Sequence, residues 1–146
     1  MIALGSDHAG LELKLKIMKW LAENGHEYKD FGTHSFDSCD YPIYAEAVGK
    51  AVASGEYEKG ILVCGTGIGV SISANKVKGV RCALCSDCFS AEMSRRHNDA
   101  NILALGGRVI GSGLAEKIVW TWLHTEFEGG RHQRRVSLFT DIENNQ

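Results

Sequence analysis

The sequence predicts an α/β protein, folded as a Rossmann-like three-layer α/β/α sandwich around a five-stranded parallel sheet. Three observations support this: five short apolar segments, an amphipathic segment after nearly every one of them, and glycine-rich turns between the two kinds. Strands that alternate with helices are typical of a parallel sheet covered on both faces. Right-handed crossovers then produce the doubly wound arrangement.

The five predicted strands are short and mainly apolar. They cover residues 2–5, 28–31, 60–64, 80–85 and 102–105. In sheets of this kind, ligands bind beyond the carboxyl ends of the strands, where the strand order reverses. With the strand order 2-1-3-4-5, the crevice lies between the first and third strands.

Apolar residues at helical spacing define the helices. Leu11, Leu15, Met18 and Ala22 mark the first helix, which Gly25 ends. The other predicted helices cover residues 43–54, the stretch from a glycine turn (65–69) through 75, and residues 89–97 and 113–127. Two glycines at 129–130 lead into a basic helical segment from about residue 131. We predict a single domain of residues 1–146.

Composition excludes several classes of protein. Hydrophobic residues make up 44% and charged residues 23% of the 146 residues, and the net charge is -2. These values describe a soluble globular protein and favour neither a nucleic-acid nor a membrane partner. No apolar run approaches the ~18 residues of a membrane span, and the first residues do not resemble a signal peptide. Five cysteines, an odd number, predict reduced thiols and a cytoplasmic location.

The run Cys64-Gly65-Thr66-Gly67-Ile68-Gly69 follows the third strand. Its glycines let main-chain N–H groups converge on one point, and a following helix adds its positive end, so the turn could hold an oxyanion or a phosphate. The spacing matches neither a Walker loop nor a dinucleotide-binding loop. A helix start favours the thiolate form of a cysteine, which could remove a proton from carbon. The alternatives are a tight connection and a small buried thiol.

Asp7, His8 and His97 are further candidates. Asp7 and His8 follow the first strand and could bind sugar hydroxyls or a phosphate, although Asp7 could equally cap the first helix. His97 could transfer a proton near neutral pH, or it could be a histidine favoured by a helix end.

Basic residues are concentrated near the C-terminus. Arg131 and Arg135 are four apart and share a face of a helix, where two guanidinium groups suit a phosphate dianion, and Arg108 is another candidate. The alternatives are a solvated tail and a nucleic-acid patch. Cys82, Cys85 and Cys88 have a spacing that resembles metal ligands. Because Cys82 and Cys85 are three apart on a predicted strand and face opposite ways, we predict buried thiols and no metal.

Five segments together resemble ribose-5-phosphate isomerase type B, in the family shared with galactose-6-phosphate and allose-6-phosphate isomerases. They are residues 5–10 (GSDHAG), 40–42 (DYP), 64–71 (CGTGIGVS) with 74–76 (ANK), 97–99 (HND) and 129–136 (GGRHQRRV). Some family members replace the cysteine with a glutamate at the end of the glycine turn. This chain has Val70 there and keeps Cys64, so it resembles the cysteine type.

The resemblance implies an isomerase that interconverts ribose 5-phosphate and ribulose 5-phosphate through an enediolate, in the non-oxidative pentose phosphate branch. No cofactor is implied. Cys64 would move the proton between C1 and C2, and His97, helped by Thr66, would open the furanose ring. The implied substrate-binding residues are Asp7, His8, Tyr41, Gly65, Gly67, Gly69, Asn98, Arg108, Arg131 and Arg135.

The resemblance also implies a homo-oligomer, a dimer or a tetramer, in which each active site is shared between subunits. Two alternatives remain at this stage. One is a hexose 6-phosphate isomerase that acts on allose or galactose 6-phosphate. The more remote one is a non-catalytic module that senses a sugar phosphate or a nucleotide.

Overall fold

A computed structural model describes all 146 residues and contains five strands and six helices. The strands are β1 (Ile2–Ser6), β2 (Tyr28–Asp30), β3 (Lys59–Cys64), β4 (Cys82–Leu84) and β5 (Ile102–Gly106). The helices are α1 (Leu11–Glu23), α2 (Tyr41–Ala53), α3 (Ile68–Asn75), α4 (Cys88–Arg96), α5 (Ser112–Leu123) and α6 (Arg131–Asn144). Every strand pair is parallel, which confirms the predicted α/β fold with a five-stranded parallel sheet.

The strand order is β2-β1-β3-β5-β4, so the predicted order 2-1-3-4-5 is wrong for the last two strands. All five residues of β5 are buried, whereas the three residues of β4 are partly exposed. A strand covered on both faces needs an unbroken apolar run, so β5 lies inside the sheet and β4 forms its edge. The order β2-β1-β3 is as predicted, and the crevice between β1 and β3 is retained.

Two apolar cores cover the two faces of the sheet. On one face α1, α4 and α5 pack on the strands, with Ile17 and Trp122 among the fully buried side chains. On the other face α2 and α3 pack on the strands through residues such as Val48 and Ala74. Cys64 belongs to this second core. Burial of this kind contributes about 25 cal/mol per Å² of apolar surface and determines which face each helix covers.

One helix end agrees with its prediction, whereas the start of α2 and the end of α5 differ from theirs. As predicted, α1 ends just before Gly25, which has φ +77°. Helix α2 begins at Tyr41 because Pro42 is tolerated in a first helical turn. Helix α5 ends at Leu123 and not near residue 127. The chain beyond it turns toward α4, where the carbonyl of Thr125 accepts a hydrogen bond from Arg95 Nε (3.2 Å).

The parallel sheet has two distinct edges. The turns after β1, β3 and β5 form its carboxyl edge, and the segment 97–101, which leads into β5, lies at its amino edge. Helix α6 begins beside the end of α4, and its C-terminal part reaches the turn before β4, where Glu143 accepts a hydrogen bond from Gly79 N (3.0 Å). None of the helices has the length and apolar character needed to span a bilayer.

Candidate active site

Cys64 is the last residue of β3, and three residues separate it from α3. Its side chain is buried, and the main-chain N–H of Gly67 donates to its Sγ at 3.1 Å. Gly67 has φ +79°, a left-handed conformation that glycine adopts readily. This conformation allows the chain to fold back onto the sulfur. An N–H donor and a helix start both favour negative charge on Sγ, so the turn is suited to a thiolate.

The first turn of α3 forms one side of this site. A β-carbon placed on Gly69 would lie 2.5 Å from Cε1 of Tyr41, so the Tyr41 ring packs directly against the glycine. Thr66 is exposed at the tip of the turn, and its Oγ1 accepts a hydrogen bond from Ile68 N (3.2 Å). Tyr41 therefore packs against the end of the glycine turn that follows Cys64, and Thr66 forms its tip.

The segment after β5 forms the opposite side. The N–H of Gly107 donates to the Cys64 carbonyl (2.8 Å), and the N–H of Arg108 donates to the Gly65 carbonyl (2.9 Å). A β-carbon on Gly65 would lie 3.6 Å from Nη1 of Arg108, which places the guanidinium beside the glycine turn. Arg108 is exposed and forms no ion pair within the chain. It adds an unneutralised positive charge to the site.

Asp7 comes from the turn after β1 and is buried beside β3. Its Oδ1 accepts a hydrogen bond from Gly10 N (2.9 Å), and its own N–H donates to the Val63 carbonyl (3.3 Å). A β-carbon on Gly10 would collide with that carbonyl. Asp7 therefore closes the turn ahead of α1 by accepting from the N–H of Gly10, the N-cap residue of that helix.

His8 is oriented by a loop that follows β2. The main-chain N–H of Cys39 donates to His8 Nδ1 at 3.2 Å. A neutral imidazole that accepts at Nδ1 carries its hydrogen on Nε2, so His8 offers Nε2–H as a donor. A fixed N–H donor of this kind suits the oxygens of a sugar phosphate.

A buried lysine anchors that loop. The Nζ of Lys14 lies 2.7 Å from Asp30 Oδ1 and donates to the Thr33 carbonyl at 2.6 Å, with its side chain 0% exposed. Burial lowers the pKa of Lys14, and the Asp30 carboxylate opposes that effect. The second oxygen of Asp30 lies 3.5 Å from the exposed His34. Lys14 thereby joins α1, β2 and the loop that carries Cys39.

The remaining predicted residues lie elsewhere. His97 and Asn98 precede β5, and Arg131 and Arg135 are on the first turns of α6, so all four are at the amino edge of the sheet. Gly60 pairs with Ile102, and Cys64 lies four residues further along β3. At about 3.3 Å per residue, the two edges are ~13 Å apart. One chain does not bring these four residues to Cys64.

The amino-edge residues form a group of their own. The rings of His97 and His132 stack at 4.3 Å with an interplanar angle of 12°, which brings the start of α6 against the end of α4. Desolvation, together with His97 and Arg131, lowers the pKa of His132. Arg131 and Arg135 are exposed and make no ion pair. By contrast, Arg96 contacts Glu128 through Nε at 2.8 Å.

His97, Glu128 and His132 are the one group with metal-ligand chemistry, since their ligand atoms lie within 4.8 Å of one another. The two rings are nearly parallel, so their in-plane lone pairs do not converge on one point. Glu128 is also engaged by Arg96. The arrangement therefore suits ring stacking better than metal coordination.

Cys82 and Cys85 pack on opposite faces of the sheet, as their spacing predicts: Cys82 against the core of α2 and α3, and Cys85 within the core of α1, α4 and α5. Burial raises the pKa of Cys82 to about 12 and that of Cys85 to about 11. All five cysteines are free thiols.

Sequence reasoning missed two residues that shape the site. Lys14 lies three residues after Leu11 and three before Ile17, on the apolar side of α1, and a lysine at such a position signals a buried ion pair. Cys39 acts through its main-chain N–H, and a loop sequence gives no signal for that contact.

Comparison with known proteins gives a consistent result. The family model described as Ribose/Galactose Isomerase matches residues 2–139. Ribose-5-phosphate isomerase B of Escherichia coli (strain K12) is 54% identical over 142 residues, which is 97% of this chain and 95% of that protein.

Solved structures agree. The Clostridium thermocellum ribose-5-phosphate isomerase B superposes with a TM-score of 0.97 at 54% identity, covering 99% of this chain and 97% of that one. The Mycoplasma genitalium ribose-5-phosphate isomerase B, with bound ribulose-5-phosphate, gives a TM-score of 0.95 at 41% identity, with 99% and 97% coverage.

Proposed function

Because this chain belongs to the ribose/galactose isomerase family, we propose that Cys64 is the base of its aldose–ketose isomerisation. The chain is an enzyme with ribose-5-phosphate isomerase B activity, which interconverts ribose 5-phosphate and ribulose 5-phosphate. The observation that supports Cys64 most directly is the N–H of Gly67 donating to its Sγ at 3.1 Å, at the start of a helix. No other cysteine of the chain accepts a main-chain N–H at its sulfur.

In the proposed mechanism, the Cys64 thiolate removes the C2 proton of open-chain ribose 5-phosphate. The C–H electron pair forms the C1–C2 double bond, and the carbonyl pair moves to O1, which gives an enediolate. The resulting thiol returns the proton to C1, and the O2 hydroxyl passes its proton to O1, so that O2 becomes the ketone oxygen and O1 the new hydroxyl. A positioned base typically contributes a factor of about 10²–10⁴.

Main-chain donors of the Gly65–Gly69 turn face the charge that develops on the substrate. Gly67 N–H is already engaged with the sulfur, and Ile68 N–H with Thr66 Oγ1, so Gly67 acts on the base and Gly65 and Gly69 act on the enediolate. Each donor of this kind is worth about 3 kcal/mol. Asp7, His8 and Tyr41 surround the same turn and bind the sugar in this proposal.

The second part of the proposal is that a partner subunit completes each site. His97 must reach the ring oxygen next to C1, within a few Å of Cys64, yet the sheet separates them by ~13 Å in one chain. Asn98, Arg131 and Arg135 lie with His97 and have no partner in their own chain. A two-fold dimer, alone or within a tetramer, can place the amino edge of one subunit over the carboxyl edge of the other.

Phosphate binding follows from the same arrangement. Arg131 and Arg135 share a face at the N-terminus of α6, where the helix also favours anions, and both guanidinium groups are free. In the proposed dimer they join Arg108 and His8 of the facing subunit around the phosphate. Arg81, Arg95 and Arg96 are each paired with carboxylates and are not part of this group.

The base is tested by exchange of the substrate C2 hydrogen with deuterated solvent. We expect Cys64→Ala to lower exchange and turnover about a thousandfold with the fold intact. Cys88→Ala is the matched control, because it removes a half-buried thiol outside the site, and it should keep normal activity. Near-normal turnover in Cys64→Ala would disprove the assignment.

The shared site is tested by mixing two inactive variants. In a heterodimer of Cys64→Ala and His97→Ala subunits, one site has both lesions and the other has none. Random exchange of subunits should restore about a quarter of the wild-type activity. If both residues served one chain's own site, every site would contain a lesion and no activity would return.

A cytoplasmic location also belongs to the proposal. Its support is the set of five free thiols, which is expected of a chain kept in a reducing compartment.

A further inference from the structure

The segment between α4 and β5 contains an unusual backbone conformation. Asp99 has φ +48° and is the one residue other than glycine with a positive φ. Left-handed backbone is uncommon outside glycine, although aspartate and asparagine tolerate it better than most residues. Such a residue persists where its surroundings hold it, and it often accompanies a functional segment. It directly follows His97 and Asn98.

Two arginines hold Asp99 in this conformation. Arg95 Nη1 lies 3.0 Å from Asp99 Oδ1, and Arg81 Nη2 lies 3.3 Å from Oδ2. Arg81 Nε also donates to the Asp99 carbonyl at 2.8 Å. We call this group the Asp99 clamp, formed by Arg81, Asp99 and Arg95.

The Asp99 clamp is anchored to rigid parts of the fold. The Arg95 side chain is 10% exposed, and its Nη1 donates to the Ala100 carbonyl at 2.6 Å. Arg81 lies just before β4, and its N–H donates to Asn101 Oδ1 at 2.8 Å. Both arginines are therefore held by groups within the segment 99–101.

The residues ahead of the clamp are held much less firmly. The Asn98 side chain is exposed and forms no hydrogen bond within the chain. His97 has its stacking contact with His132 and a main-chain bond from its N–H to Met93 O at 2.9 Å. Helix α4 holds these two residues from one end and the clamp at Asp99 holds them from the other, so the bend at Asp99 is one of two restraints on the direction in which both side chains leave the backbone.

We propose that Asp99 is a positioning residue for the isomerisation, because its clamp by Arg81 and Arg95 sets how His97 and Asn98 are presented to the sugar phosphate. The inference rests on the proposed function, which gives His97 the ring-opening step. Asp99 acts through its neighbours and needs no contact with the substrate. If the clamp served only folding, its loss would lower stability but would affect ring opening and proton abstraction equally.

The substrate pair separates the two steps. Ribulose 5-phosphate cannot form a furanose ring, because the oxygen that would close the ring carries the phosphate. Exchange of its C1 hydrogen with deuterated solvent therefore requires proton abstraction but no ring opening. Conversion of ribose 5-phosphate, which is mostly cyclic, requires both. The ratio of these two rates reports on ring opening.

Asp99→Gly removes the carboxylate and still tolerates the positive φ. We expect ribose 5-phosphate turnover to fall about tenfold to a hundredfold, the usual effect of a small misplacement, with a much smaller loss of C1 exchange. Asp99→Asn keeps one acceptor and should recover part of the loss. If Asp99→Gly does not fold, Arg81→Gln should show the same change of ratio.

The control is Ile118→Val, a core substitution in α5 that should lower the melting temperature and leave the ratio unchanged. An unchanged ratio in both Asp99→Gly and Arg81→Gln would overturn the proposal. Failure of the proposed base would appear separately, as normal C1 exchange in Cys64→Ala. The ratio of ribose 5-phosphate turnover to C1 exchange in the Asp99 variants reports on ring opening, whichever group removes the proton.

Discussion

Replacing Lys14 by methionine tests how strongly a buried ion pair supports the carboxyl-edge site. The methionine fills the volume of the lysine stem but removes the charge and the bonds to Asp30 (2.7 Å) and the Thr33 carbonyl (2.6 Å). Asp30, whose side chain is 14% exposed, then keeps its negative charge without a cationic partner of comparable burial. Breaking one side of a buried pair typically costs 3–5 kcal/mol, so we expect a loss of about 4 kcal/mol. That is a large part of the ~5–15 kcal/mol that stabilises a domain.

Urea unfolding at a fixed protein concentration measures this loss, because the stability of an oligomer depends on concentration. The double variant Lys14→Met/Asp30→Asn removes both charges and should recover about half of it. We also expect the Michaelis constant to rise in Lys14→Met, since the anchored loop contains Cys39, which orients His8. A loss below about 1 kcal/mol in the single variant would refute the reasoning, since that is the size of a surface pair.

The lowered pKa of Lys14 adds a pH dependence with a definite sign. Burial moves the pKa of the folded protein below the 10.5 of the unfolded chain, so between the two values the unfolded state binds more protons. The contribution of Lys14 to the free energy of unfolding therefore increases as the pH rises through that window. Unfolding experiments just below pH 10.5 should show this slope in the wild type and a flatter curve in Lys14→Met.

Two further predictions concern the glycine turn and the cysteines. In Gly69→Ala, a β-carbon 2.5 Å from Cε1 of Tyr41 displaces that half-exposed ring, so kcat/KM should fall. Stability should stay within about 1 kcal/mol, because alanine favours the helix, and a Tyr41→Ala background should remove the kinetic effect. The raised pKa values, about 12 for Cys82 and about 11 for Cys85, keep both thiols protonated at moderately alkaline pH. Iodoacetamide should therefore label Cys39 before it labels Cys82 or Cys85, and peptide mass spectrometry can measure this order. Labelling of Cys82 or Cys85 before Cys39 would contradict the prediction.

Much of the fold follows from the pattern of apolar runs. The runs before Asp7 and Cys64 are strands, and the polar residues that follow them had to meet at one edge of a parallel sheet. The positions of β4 and β5 in the sheet are reversed relative to the prediction, and the physical reason is visible in the sequence. Arg81 interrupts the fourth apolar run, whereas residues 102–105 are uninterrupted, and only an uninterrupted run suits the interior of the sheet.

The candidate site could be predicted only in part. His97 precedes β5, so parallel pairing alone places it at the edge opposite Cys64, and motif resemblance does not reveal this separation. The Asp99 clamp depends on Arg81, 18 residues away in the chain, and on a backbone angle that composition does not encode. Contacts between distant segments, and bonds made by main-chain groups, are what sequence patterns leave undetermined.

The separation of base and arginines onto opposite edges has a thermodynamic consequence in the proposed dimer. A sugar phosphate that touches both subunits binds the assembled form and hardly binds a lone chain. By linkage, occupancy then tightens association, and dilution weakens occupancy. The substrate thus stabilises the dimer that converts it. Activity per chain is therefore expected to increase with both the protein concentration and the substrate concentration.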